Sequence, residues 1–172
     1  MIRVTEGDQV RIIVKNELPD PTTIHWHGVE VPNAMDGVPG MTQDPIQPGE
    51  TFIYEFTAKP TGTFMYHSHY EGDIQVGAGL YAPFIIEPQE PEANPPAVDK
   101  ILMLSEWLVR DGLTYAAMPM SGMEPNYFTI NGKAFPDSQP IRVNRGDVIR
   151  LRLIGAGEQS HFIHIHGHVF KV

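Results

Sequence analysis

The sequence predicts an all-β protein, a sandwich or barrel of short strands. Three observations carry this. The apolar segments are short, alternate in polarity, and favour β-branched and aromatic residues, as at 10–14 and 51–57. Between them fall 16 glycines and 16 prolines in 172 residues, the residues that turns require. No stretch shows the 3.6-residue apolar period of a long amphipathic helix.

Taken in order, Glu6-Gly7-Asp8 is a turn that leads into a strand at 10–14. Residues 16–23 hold two prolines and form a loop. Residues 24–31 alternate, so His25 and His27 share one face of an extended segment and Trp26 packs on the other. Residues 32–49, with four prolines and three glycines, form a long loop of tight turns. Strands follow at 51–57, at 62–66 (delivering His67 and His69), and at 80–86, where Pro83 marks an edge or a bulge. Residues 89–98 are acidic, Pro-rich and without apolar periodicity, hence a linker. It separates a first domain, 1–88, from a second unit, 99–172. In that unit, strands are expected at 101–108, 127–130, 141–143, 148–154 and 162–172, with a short helical turn within 112–126.

The chain repeats itself. Ile24-His25-Trp26-His27-Gly28 recurs 139 positions later as Ile163-His164-Ile165-His166-Gly167. At the same offset and without a gap, Ile2-Arg3-Val4-Thr5-Glu6-Gly7-Asp8 falls on Ile141-Arg142-Val143-Asn144-Arg145-Gly146-Asp147. The counterpart of the 127–130 strand would precede Met1, so the first copy is expected to start one strand late, as a fragment would.

Composition narrows the function. A net charge of -9 argues against nucleic acid and anionic membrane surfaces as partners. No apolar run reaches the roughly 20 residues of a membrane span. There is no cysteine and no signal-peptide pattern.

The eight histidines are His25, His27, His67, His69, His161, His164, His166 and His168. They come as His-x-His pairs rather than scattered. On a strand, such a pair points one way with roughly 6–7 Å between residues, a spacing that suits two ions of a cluster better than one compact site. Imidazole suits copper, zinc, iron and nickel. Met118, Met120 and Met123 offer thioethers, which favour Cu(I), although an apolar loop accounts for them equally.

His25-Trp26-His27-Gly28, the following Met35-Asp36-Gly37-Val38-Pro39, and Gly62-Thr63-Phe64-Met65-Tyr66-His67-Ser68-His69 resemble the first cupredoxin domain of laccase-like multicopper oxidases. His161-Phe162-Ile163-His164-Ile165-His166-Gly167-His168 resembles the histidine block of the domain that carries the blue copper, with Phe162 where the family usually has proline. The resemblance implies a cupredoxin-like Greek-key sandwich, nearly complete in 1–88, and the front part of a second in 99–172. It implies one-electron oxidation of a reducing substrate (phenols, aromatic amines or metal ions) coupled to four-electron reduction of O2 to water. In that scheme His25 and His164 bind the type 2 copper. His27, His67, His69 and His166 bind the type 3 pair, and His161 is a type 1 ligand. His168 is not a ligand. Asp36 relays protons, although Asp-Gly is also an ordinary turn. A two-domain parent, a homotrimer and export to the periplasm or cell exterior are further implications; a three-domain parent is the alternative.

This sequence departs from the family at one decisive place. Blue copper needs a thiolate, and the His-Cys-His block that supplies it is absent. The repeat offset puts the counterparts of His67 and His69 at positions 206 and 208, past Val172. The chain is therefore expected to be a truncated and incomplete oxidase. A non-catalytic copper-binding protein or fragment is the rival reading. A copper nitrite reductase is a second rival, disfavoured because it lacks the paired type 3 histidines.

Overall fold

The computed structural model describes residues 1–115 and 117–172. Ten strands appear in order: β1 (Ile2–Thr5), β2 (Gln9–Lys15), β3 (His25–His27), β4 (Thr51–Thr57), β5 (Gly62–His67), β6 (Tyr81–Glu87), β7 (Val98–Arg110), β8 (Leu113–Tyr115), β9 (Tyr127–Ile130) and β10 (Ile149–Gly155). Among the described residues one short α-helix, α1 (Gly72–Gln75), precedes β6, and a 3-10 turn spans Asn33–Met35. No helix among the described residues is long and apolar enough to cross a membrane.

The first unit is a β-sandwich. One sheet has the order β1-β6-β5-β3 and the other is the antiparallel pair β2-β4. Alternation along β4 turns Tyr54 and Phe56 inward, and Val10 of β2 and Phe84 and Ile86 of β6 meet them in the core. Trp26 sits among them, only 1% exposed, with its ring centroid 5.2–5.7 Å from those of Tyr54, Phe56, Tyr66 and Phe84. Burying the indole in that aromatic set fixes which face of β3 is left for the histidines. Pro83 lies inside β6, opposite Met65 of β5, but one residue before the pairing with β1 begins at Phe84. The strand is thus an edge locally, as a proline requires.

In the second unit β7 is the spine. It pairs in parallel with β10 and antiparallel with β8 and β9. Residues 88–97 carry no strand or helix, in keeping with their prolines.

Four sequence expectations are corrected here. Residues 141–143 are irregular, and so are 162–172, which are almost wholly exposed. A strand needs a neighbour for its backbone groups. In the first copy β1 is held by β6 and β3 by β5, and at the repeat offset the counterparts of β5 and β6 fall past position 172. Within 24–31 only His25–His27 is a strand, because Gly28 turns the chain at φ 83°. The described part of 112–126 holds β8 and turns but no helix, and Ala116 lies outside the described residues.

Arg152 ties the two units together. It stands on β10, 8% exposed, and donates to the Asp99 carboxylate at 2.8–3.1 Å, to Glu87 at 3.1–3.2 Å, and to Thr63 Oγ1 at 3.1 Å. The hydrogen bond from Arg152 holds the Asp99 carboxyl below the usual carboxylate range. Replacing Arg152 with methionine should cost about 1–3 kcal/mol, less than for a fully buried pair because the carboxylates are partly solvated. A depressed carboxyl contributes stability that is complete above its unfolded value and is lost as pH falls through the native one. Denaturant unfolding across the acid range should therefore show a steeper pH dependence in the parent than in Arg152→Met. Equal slopes would remove Arg152–Asp99 from the account.

Candidate metal centre

The site begins with two strands in one register. β3 and β5 run antiparallel with His25 opposite His67 and Trp26 opposite Tyr66. With Trp26 committed to the core, His25 and His27 emerge on the other face beside His67. Upstream, the Ile24 N–H donates to the hydroxyl of the fully buried Tyr54 at 2.9 Å, which anchors the chain one residue before His25.

The rings of His25, His27, His67 and His69 converge. Centroids lie 5.3 Å apart for His25–His67 and His25–His69, 5.6 Å for His25–His27, 5.5 Å for His27–His67 and 6.1 Å for His67–His69. One ligand atom from each of His25, His27 and His67 falls within 4.8 Å of the others, so these three form a cluster able to hold a metal ion. His69 lies just past the end of β5, not on a strand.

Hydrogen bonds set the tautomers. His25 Nδ1 is 2.8 Å from the Asp36 carbonyl, and His67 Nδ1 is 2.8 Å from the Ser68 carbonyl. A carbonyl only accepts, so each Nδ1 carries the proton and each Nε2 keeps its lone pair. His67 Nε2 is 3.3 Å from His27 Nδ1, so both atoms open onto the same space. Burial pushes the His67 pKa down, and the neighbouring His25, His27 and His69 add to that against the Ser68 bond, which raises it. A neutral imidazole at neutral pH is the form that can ligate.

The Asp36 carboxylate is 3.4 Å from His25 Nδ1 and partly exposed, so the acid picked out in the sequence does touch the cluster, alongside its own carbonyl. Its approach depends on Gly37. A Cβ there would stand 2.0 Å from the Ile24 carbonyl oxygen, and the residue has φ 77°.

The other predicted residues lie elsewhere. His164 and His166 stack edge to face with each other at 4.7 Å on the exposed 162–172 segment, and no ring contact joins them to the four-histidine group among the described residues. His168 is exposed. His161 Nε2 is 2.8 Å from Glu106 Oε1. Met118 and Met123 close a tight loop through a 2.8 Å backbone bond from Met118 N–H to the Met123 carbonyl, and Met120 is exposed. A cleft of about 680 Å³ runs between the units, with His27, His67 and His69 on one side and Glu106, Trp107 and Met118 on the other. Glu106 escaped the sequence reading; its signal was an acid in an otherwise apolar strand. Its side chain is 2% exposed and packs against Gly157, where a Cβ would lie 1.4 Å from Oε2.

Residues 1–91 match a multicopper oxidase family model, and residues 112–172 match a second one. The chain belongs to the multicopper oxidase family. Its sandwich is of the cupredoxin-like kind found in multicopper oxidase domains. It is similar to the blue copper oxidase from Nitrosomonas europaea, at 45% identity and a TM-score of 0.80, over 91% of this chain and 51% of that one. It is also similar to the multicopper oxidase mgLAC, at 40% identity and a TM-score of 0.84, over 97% of this chain and 54% of that one. Among curated relatives, copper resistance protein A of Pseudomonas syringae pv. tomato is 40% identical over 111 residues, 64% of this chain and 18% of that protein. The chain thus spans about half of those solved chains and under a fifth of that relative.

Gly37→Ala should act on the histidine cluster through the backbone, since a Cβ at 37 would stand 2.0 Å from the Ile24 carbonyl oxygen and 3.0 Å from the His25 nitrogen. Strain at a positive φ and the clash with Ile24 should destabilise the fold by about 1–3 kcal/mol. They should also release His25 from its Nδ1–H tautomer, which ring-nitrogen chemical shifts report. An unchanged tautomer would show that the 36–37 loop does not orient His25.

Proposed function

We propose that the chain is part of a laccase-like multicopper oxidase, in which one-electron oxidation of a reducing substrate is coupled to reduction of O2 to water. The observation that carries this is the convergence of His25, His27, His67 and His69, with Nδ1–H of His25 and His67 tied to carbonyls, which leaves a lone pair on each Nε2, that of His67 facing His27 Nδ1 at 3.3 Å. That donor set fits a copper cluster. On the family pattern His25 and His164 would hold the type 2 copper, and His27, His67, His69 and His166 the type 3 pair. Copper bound there would supply the redox chemistry, relaying to O2 the electrons given up by the substrate. The protein's own part is to orient the imidazoles and deliver protons. Asp36, with its carboxylate partly open to solvent, takes up a proton at Oδ1 beside His25.

A type 1 site does not fit these 172 residues. His161 is present, but the thiolate is not. The second reading is a copper-binding chain without turnover. The nitrite reductase reading does not account for four converging imidazoles. Phenols, aromatic amines and metal ions all remain substrate classes of the proposal. A homotrimer would let His164 and His166 of one copy complete the cluster of another. Export to the periplasm or cell exterior rests on the family resemblance alone.

Copper per chain and O2 uptake with a phenol test the proposal. The 172-residue chain should bind fewer than the family's full complement, show no intense blue thiolate band, and turn over little or not at all. A longer polypeptide that includes a His-Cys-His segment should gain both colour and O2 uptake. Oxidase turnover by the short chain, or none by the longer one, would contradict the proposal.

A further inference from the structure

The main-chain ladder between the two histidine segments stops at His25↔His67. Beyond that pair, His69 has no strand to hold it. A buried side-chain knot takes over at that point. Thr22, Ser68 and Gln75 are 5%, 0% and 6% exposed. The Gln75 Oε1 accepts from Ser68 Oγ at 2.6 Å and from Thr22 Oγ1 at 2.7 Å, and its Nε2 donates to the Pro21 carbonyl at 2.7 Å. The amide orientation is fixed, because a carbonyl can only accept and each hydroxyl has one proton to give.

Each arm reaches a histidine segment. Ser68 lies between His67 and His69, its N–H donates to the Leu80 carbonyl at 3.0 Å, and its Oγ accepts from the Tyr70 N–H at 3.2 Å. Thr22 stands three residues before His25, locked to Ile46 by backbone bonds of 2.8 and 3.1 Å. Gln75 ends α1, and its carbonyl accepts at 3.0 Å from the N–H of Leu80, the residue just before β6. An apolar trio would fill the same space, but without direction. Fully satisfied polar networks fix one arrangement among several that packing alone would allow.

We infer that Gln75 is a positioning residue: it sets the spacing between the two His-x-His pairs, and above all places His69, by bridging Ser68 to the Thr22 segment where strand pairing has ended. The inference deepens the copper reading and rests on it for its functional meaning. Its geometric part stands on metal-free observables.

The test uses the whole chain and three variants. Gln75→Met removes the three side-chain bonds of Gln75 at similar length and leaves only the 3.3 Å contact between the Thr22 and Ser68 hydroxyls. Gln75→Glu can replace them all, because a buried carboxyl stays protonated and then donates to Pro21 while its other oxygen accepts. Thr22→Val cuts one arm with little change of shape. In the metal-free chain, imidazole nitrogen signals of His25 and His69 should move together in Gln75→Met, move less in Thr22→Val, and return in Gln75→Glu. With Cu(II), Gln75→Met should weaken binding by at least about tenfold and alter the paramagnetic resonance hyperfine pattern. Should Gln75→Met fail to fold, Thr22→Val decides by the same ring signals. A lowered unfolding temperature with unmoved ring signals and unchanged copper affinity would overturn the inference and leave Gln75 a merely structural residue. Moved ring signals in a chain that binds no copper at these histidines would uphold the positioning role while defeating the copper reading.

Discussion

Everything at the histidine cluster depends on the register of β3 against β5. His25 faces His67, so the two strands present imidazoles to one space. Strand side chains alternate, so a slip of one residue would send Trp26 outward and both histidines of β3 into the core. Trp26 prevents that slip. Its indole is almost wholly buried against Tyr54, Phe56, Tyr66 and Phe84, and exposing it would forfeit about 3–5 kcal/mol of packing. The hydrophobic core of the first sandwich therefore sets the geometry of a polar site.

A second constraint acts on protonation. Burial holds His67 toward its neutral form, and the neighbouring His25, His27 and His69 add to that. The carbonyls of Asp36 and Ser68 accept hydrogen bonds from the Nδ1–H groups, which leaves the Nε2 lone pairs for the cluster. Backbone carbonyls do this work at two of the four rings, and Gly37 gives one of them the room to approach.

What could be read from the sequence was whatever depends on local period. The His-x-His alternation, the burial of Trp26 and the strands at 51–57 and 62–66 follow from side-chain order alone. The repeat also located the second histidine block. It did not make 162–172 a strand, because a strand is a property of two segments, and the neighbour that holds β3 has no counterpart within 172 residues. His67 and His69 looked like a strand pair as well, yet the strand ends at His67. What continues it is Gln75, whose role needs the contact of segments 46 and 54 residues apart, beyond the reach of any sequence pattern. Asp36 was visible as an acid in a turn; that its carbonyl makes the shorter contact to His25 was not.

The central claim is that two His-x-His segments of the first sandwich form one copper-holding group. Anomalous X-ray scattering from crystals of the chain, loaded with a single equivalent of copper, addresses it directly. The account predicts copper bound by imidazole nitrogens drawn from His25, His27, His67 and His69. Copper found on His164 and His166, or on His161, with those four rings free of metal, would contradict it.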